Sequence, residues 1–178
     1  MAEDRRIRNT KKKIRQAMLE CLSTEGLDKI SVTMLCNVAD INRSTFYTYY
    51  SDPKELYELL ELEVILGLNR FLRKQEFDRQ SYREMLVQLI QFISENGSIV
   101  LAMLKSESTQ FKDALEKLLG SNRKVWAKKL DERDAAYAEE FYISGIQNII
   151  EKWLSEGKRK TDEEIAEIIL RLTYLTES

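Results

Sequence analysis

The chain contains no histidine, one proline, two cysteines and six glycines among its 178 residues. The lack of histidine removes at once the commonest general base, the imidazole metal ligands and the side chain that switches near neutral pH. The acidic residues are scattered over polar faces and form no catalytic constellation, so no catalytic residue, metal site or cofactor is expected and the chain does not read as an enzyme. Cys21 and Cys36 lie in apolar helical stripes without metal-ligand or CxxC spacing, which suits a reducing compartment. Core filling is one reading of them and a redox switch the other. There is no run of eighteen apolar residues and the first residues are charged. Neither a membrane span nor a secretory signal is expected, and the expected location is the cytoplasm. So few turn formers, together with 43% hydrophobic and 33% charged residues, are the composition of long amphipathic helices.

What the chain does have is a charge asymmetry hidden by its net charge of −2. Arg5, Arg6, Arg8, Lys11, Lys12, Lys13 and Arg15 follow one another with no acid between them. A basic patch on an otherwise acidic chain suits a polyanion met by one end only. The plainer reading is a solvated leading segment.

Hydrophobic periodicity orders the rest. Ile14, Ala17, Met18, Cys21 and Leu22 keep the i, i+3, i+4, i+7, i+8 spacing of one helix face, which Ile7 extends backwards. A helix is expected from about residue 6 to Thr24, closed by a left-handed Gly26. In "SVTMLCNVADI" Thr33 is placed to cap a short helix that "DIN" ends, and "RSTFYTYY" reads as a second short helix. Two short helices after a longer support helix form the helix-turn-helix arrangement, whose second helix enters the major groove. Asp52, Pro53 and Glu55 spell a capping box for a long helix to about Lys74. Ser81 with Glu84 repeats that signature ahead of Tyr82, Leu86, Leu89, Ile90 and Ile93. Further helices follow over "IVLAMLK", "STQFKDALEKLLG", a polar piece around Trp126, a segment ending at Gly157, and a last one capped by "TDEE". No strand-like alternation is found. The expected fold is all-α, with an N-terminal three-helix helix-turn-helix domain over 1–51 and a C-terminal helical dimerisation and ligand domain over 52–178.

The stretch "INRSTFYTYY" sets one Phe and three Tyr beside Arg, Ser and Thr. Tyrosines with an apolar body and a polar tip suit a segment that faces both a core and a polar surface. An aromatic plug under a bundle would explain Phe46 but not the tyrosines.

The order of a basic helix, "EGLDKISVTMLCNVADINRSTFYTYYSDPKEL", a long connecting helix and two apolar C-terminal helices resembles the TetR/AcrR family of bacterial transcriptional regulators. The specific part covers roughly residues 10 to 60, where "STFYTYY" is similar to the family's recognition-helix signature and Gly26, Ala39 and Leu56 fall where its pattern wants them. Beyond residue 75 the likeness is architectural, in "FYISGIQNIIEKWLSEG" followed by "TDEEIAEII". The resemblance implies a homodimer whose two heads bind double-stranded DNA at a near-palindromic operator, and a C-terminal domain that dimerises and often holds a small-molecule effector. Arg43, Ser44, Thr45 and Thr48 are then the side chains expected to reach base edges or nearby phosphates, Arg43 by a bidentate contact with guanine. Tyr47 and Tyr49 direct hydroxyls to phosphates, and Phe46 and Tyr50 face inward. Thr33 presents a hydroxyl and free amide hydrogens to another phosphate. Arg5, Arg6, Arg8, Lys11 and Lys12 run along the backbone or into the minor groove. Two positions depart from the family pattern. Asp40 stands where Gly is common, at a turn that asks for left-handed backbone. Pro53 stands where Lys is usual, and Lys54 is expected to take its place.

In the C-terminal half, Ile146, Ile149, Ile150 and Trp153 form one stripe and Ile165, Ile168, Ile169 and Leu172 another. Paired across two copies they would make a four-helix dimer interface. An effector pocket would be lined by Leu60, Val64, Leu68, Leu89 and Phe111, residues that read equally as core. The leading expectation is a dimeric, sequence-specific repressor of the TetR/AcrR type, released by a small molecule. The rival is a helical protein-interaction module or co-activator with weak operator binding.

Overall fold

The computed structural model describes residues 2–71, 79–106, 108–120 and 131–174, and all the regular structure in them is helical. The chain divides into two compact units, Met1–Glu63 and Val64–Ser178. The division falls inside the fourth helix and not near residue 51, because Leu56, Tyr57 and Leu60 in the first half of that helix are buried and Glu63 pairs with Arg15.

In the first unit, α1 (Ala2–Thr24) buries Ile14, Ala17, Met18, Cys21 and Leu22 along one face, as the spacing requires. Ile7 is 38% exposed, so the buried stripe begins at Ile14. The helix does not end on a left-handed Gly26, which is extended at φ −73°. Its last turn carries two side-chain bonds: Ser23 donates to the Glu20 carbonyl at 2.6 Å and Thr24 to that of Cys21 at 3.2 Å, which also accepts from the Glu25 amide at 2.8 Å. One turn of 3₁₀ helix (Leu27–Lys29) leads to α2 (Val32–Ala39).

The cap of α2 is Ser31, whose hydroxyl oxygen accepts from the Met34 amide at 3.2 Å. Thr33 is therefore not the cap; it sits in the first turn, exposed. At the other end Asp40 takes φ 51°, ψ 57°. The Ile41 amide donates to the Cys36 carbonyl at 3.0 Å, and the Asp40 amide to Asn37 at 3.4 Å. This is a Schellman closure made with Asp in place of Gly. It turns the chain into α3 (Arg43–Tyr47), and α4 (Pro53–Leu68) follows. Helix α2 packs on both α1 and α3, over a core that includes Leu35 and Phe46.

The second unit holds the end of α4 with α5 (Arg79–Glu95), α6 (Gly97–Lys105), α7 (Thr109–Gly120), α8 (Glu132–Ser155) and α9 (Asp162–Tyr174). Helix α4 ends at Leu68, short of Lys74, which lies outside the described residues, as does the piece around Trp126. Ser81 does not open α5, which is already helical at Arg79. Helices α5 and α6 meet at an 88° bend over "ENGS". Gly157 is left-handed at φ 73°, and Lys158 donates its amide to the Trp153 carbonyl at 3.0 Å. Thr161 and Glu164 form a reciprocal capping box, at 2.8 and 3.2 Å. No single described helix is long and apolar enough to cross a membrane.

Helix α9 packs on α5, and α8 on α6 and α7. That packing covers most of the stripes expected at a dimer interface. Ile146, Ile150, Trp153, Ile165 and Ile169 are all buried within the chain and are not free for a second copy. Ile149 and Ile168 are half-buried, and Leu172 is 46% exposed. The expected pocket residues are core as well: Val64, Leu68, Leu89 and Phe111 are buried in the second unit, while Leu60 belongs to the first. Phe111 lines an open groove of about 370 Å³, with Met103, Lys112 and Gln147 among its other walls.

The left-handed Asp40 yields a test. Glycine suits that backbone and a β-branched side chain opposes it by about 1–2 kcal/mol. The urea midpoints are expected in the order Asp40→Gly, wild type, Asp40→Val from highest to lowest. Equal midpoints for all three would show that the closure carries no strain.

Candidate nucleic-acid interface

Helix α3 has only five residues, yet its start is closely organised. The side-chain oxygen of Asn42 accepts from the Thr45 amide at 2.7 Å, the Ser44 hydroxyl at 2.6 Å and the Thr45 hydroxyl at 2.8 Å. One acceptor thus gathers three donors and sets where the helix begins. The Thr48 hydroxyl donates to the Ser44 carbonyl at 2.9 Å. Ser44 and Thr48 are exposed and Thr45 is half-buried. Asn42 escaped the reading of the sequence, although an Asn directly before a helical "RSTF" is a capping signal.

The aromatics divide as their positions require. Phe46 is fully buried, Tyr49 and Tyr50 are half-buried, and Tyr47 is 50% exposed. Burial pushes the Tyr50 phenol up, Arg15 opposes this, and Glu55 adds to it. Arg43, at the first position of α3, is exposed and donates from Nη2 to the Tyr47 hydroxyl oxygen at 3.2 Å. That bond pushes the guanidinium above its ordinary value. The Lys11 ammonium lies 5.6 Å from the centroid of the Tyr49 ring, which brings α1 and the end of α3 together.

Arg5, Arg6, Arg8, Lys11, Lys12 and Lys13 are all exposed on α1. Arg5, Arg6, Asn9, Thr10 and Lys13 line a groove of about 400 Å³ against Ile41, at the turn between α2 and α3. Arg15 does not belong with this set: it is half-buried and paired with Glu63. At the start of α4 half of the expected capping box is present, with the Glu55 amide donating to Asp52 Oδ1 at 2.8 Å. The returning carboxylate reaches one residue further back, accepting from the Ser51 amide at 2.6 Å and the Ser51 hydroxyl at 2.7 Å. The amide, then the hydroxyl, hold the Glu55 carboxyl below the ordinary carboxylate range. Pro53 has no amide hydrogen to offer a phosphate, and Lys54 is 3.5 Å from Glu58.

A basic support helix with a capped, hydroxyl-bearing short helix beside it, followed by a second helical unit, is the plan of a helix-turn-helix transcriptional regulator. Residues 80–174 match the family model described as the C-terminal region of such regulators, in its TetR series. The chain belongs to the TetR family of transcriptional regulators, not to a family of enzymes. No curated protein matches it in sequence. Solved structures agree in fold. The chain is 22% identical to a TetR transcriptional regulator from Streptococcus agalactiae 2603V, over 97% of this chain and 98% of that one, with a TM-score of 0.65. NalD, the secondary repressor of the MexAB-OprM multidrug efflux pump in Pseudomonas aeruginosa, is 14% identical over 99% and 98% of the two chains, with a TM-score of 0.68. The dihydroxyacetone kinase operon activator DhaS is 18% identical over 93% and 94%, with a TM-score of 0.56.

The cap generates a prediction. Asn42→Ala removes the acceptor for three donors and is expected to cost about 1–2 kcal/mol of stability, read as a lowered urea midpoint. Asn42→Asp, which keeps the oxygen, is expected to lose much less; matching losses for the two would count against the capping role.

Proposed function

We propose that the chain is a dimeric, sequence-specific DNA-binding repressor that occupies a near-palindromic operator and is released by a small-molecule effector. The observation that carries this reading is the grouping in one unit of an exposed cationic α1 with the exposed Arg43, Ser44, Tyr47 and Thr48 of the short-helix region. Arg43 reads a guanine and Ser44, Thr45 and Thr48 lie beside base edges, while Thr33, Tyr47, Tyr49 and Lys54 join Arg5, Arg6, Arg8, Lys11 and Lys12 around the phosphates. A repressor needs nothing more at the operator than occupancy. The effector acts by favouring one spacing of the two heads, with leverage equal to its difference in affinity for the two states.

For the dimer, the residues left uncovered matter more than the full stripes. Tyr137 and Phe141 on α8 are 81% and 71% exposed, and Leu172 on α9 is 46% exposed. We assign these, with the half-buried Ile149 and Ile168, to the surface that a second copy covers. Phe141→Glu is expected to turn a micromolar dimer into a monomer of unchanged helicity, as read by sedimentation. A wild type that already sediments as a monomer would sink the dimer reading.

A second reading rests on the start of α4. With Pro53 silent and Lys54 near Glu58, that helix contributes little to a phosphate, which suits a co-activator that engages another protein and holds DNA weakly. Salt dependence separates the two readings. Affinity for the operator should fall with salt by about 0.9 log units per log unit for each phosphate neutralised. Lys12→Ala is expected to weaken all duplexes alike and reduce that slope by about 1, whereas Arg43→Ala relaxes preference at one base pair per half-site, costing ~1–3 kcal/mol. Titrations on specific and random duplexes check both. Weak, sequence-blind binding by the wild type would favour the co-activator.

A further inference from the structure

We infer that Tyr47 is a positioning residue for base readout: its hydroxyl orients the Arg43 guanidinium and joins it, through one oxygen, to a backbone phosphate. The inference rests on the DNA-binding reading above and adds a role that the position of Tyr47 alone would not suggest.

Arg43 and Tyr47 stand one turn apart on α3, and Arg43 Nη2 lies 3.2 Å from the Tyr47 hydroxyl oxygen. The guanidinium carbon is 5.9 Å from the centroid of the same ring, so the ring as well as its hydroxyl meets the arginine at its tip. The ring itself has an anchor. It meets Phe46 edge-on, with centroids 5.8 Å apart and planes at 84°, and Phe46 is 0% exposed. A rigid core residue therefore holds a half-exposed tyrosine, and the tyrosine holds an otherwise free arginine. An exposed arginine carries large rotamer freedom that binding must remove, and this contact removes part of it in advance.

The chemistry allows both roles at once. Arg43 has five N–H groups, one of which is directed at Tyr47, and the rest include enough for the paired contact with guanine O6 and N7. The phenol accepts through its oxygen and keeps its own O–H to donate. Accepting from a cation polarises that O–H and strengthens its bond to a phosphate. The base contact and the backbone contact are thus coupled, and each should weaken when the other is lost. Tyr49 serves as the contrast, since its ring lies under Lys11 and not beside Arg43.

The test uses the full-length protein and the palindromic duplex it selects from a randomised pool, with single-base variants of that duplex. Tyr47→Phe keeps the ring and its packing on Phe46 but removes the oxygen. It is expected to lower discrimination at the guanine read by Arg43 about 5-fold, beyond any uniform loss of affinity. In an Arg43→Ala background the same change should leave discrimination where Arg43→Ala has put it. Tyr49→Phe should weaken all duplexes alike. The positioning role is overturned if Tyr47→Phe keeps the wild-type base preference, if its effect persists undiminished without Arg43, or if Tyr49→Phe shifts the preference equally. A wild type that selects no sequence at all overturns the DNA-binding reading, and this inference with it.

Discussion

Phe46 is the buried residue of α3, and a helix of five residues has too few internal hydrogen bonds to hold itself. Its direction is set by where that one ring is buried, in a unit whose α2 packs on both α1 and α3. Everything exposed on α3 takes its bearing from that seat. Tyr47 leans on the Phe46 edge, Tyr50 packs at 5.7 Å from the same ring, and Arg43 is held by Tyr47. Loss of this ring would leave the Asn42 cap as the main local constraint on a segment that water would otherwise fray.

The second organising constraint is electrostatic. The exposed basic side chains of α1 follow one another with no acid between them in sequence, an arrangement that repels itself until a polyanion arrives. Where acids do come near, they take up particular partners: Glu63 holds Arg15, Glu58 faces Lys54, and Glu55 turns back to Ser51. The cations of α1 from Arg5 to Lys13 lie at the surface.

Much of this was legible in the sequence because helical periodicity reports chemistry directly. The stripe from Ile14 to Leu22 is buried as its spacing demands, and Gly157 and Thr161 mark real helix ends. The failures share a physical cause. Periodicity shows that a face is apolar, not what covers it, so two broad stripes with Ile146, Ile150, Trp153, Ile165 and Ile169 pointed to a partner rather than to the chain's own core. The core has them. Caps are ambiguous wherever two hydroxyl residues lie within one turn, which is how Thr33 stood in for Ser31. The expected pocket mixed residues from both units, since spacing along one helix says nothing of where a domain ends.

The hydroxyls of the short-helix region change the chemistry that α3 offers to a duplex. Ser44 and Thr45 direct their protons to Asn42, and Thr48 directs its own to the Ser44 carbonyl. Facing outward, such groups present lone pairs, which match the amino groups of adenine and cytosine and repel carbonyl edges and phosphates unless a bond is first broken. Outward donation then falls to Arg43, to the phenol hydroxyl of Tyr47 and to the lysines and arginines of α1. A surface with few strong donors at base edges depends heavily on how well each is aimed. The chain of contacts from Phe46 through Tyr47 to Arg43 matters for that reason more than the number of polar side chains around it.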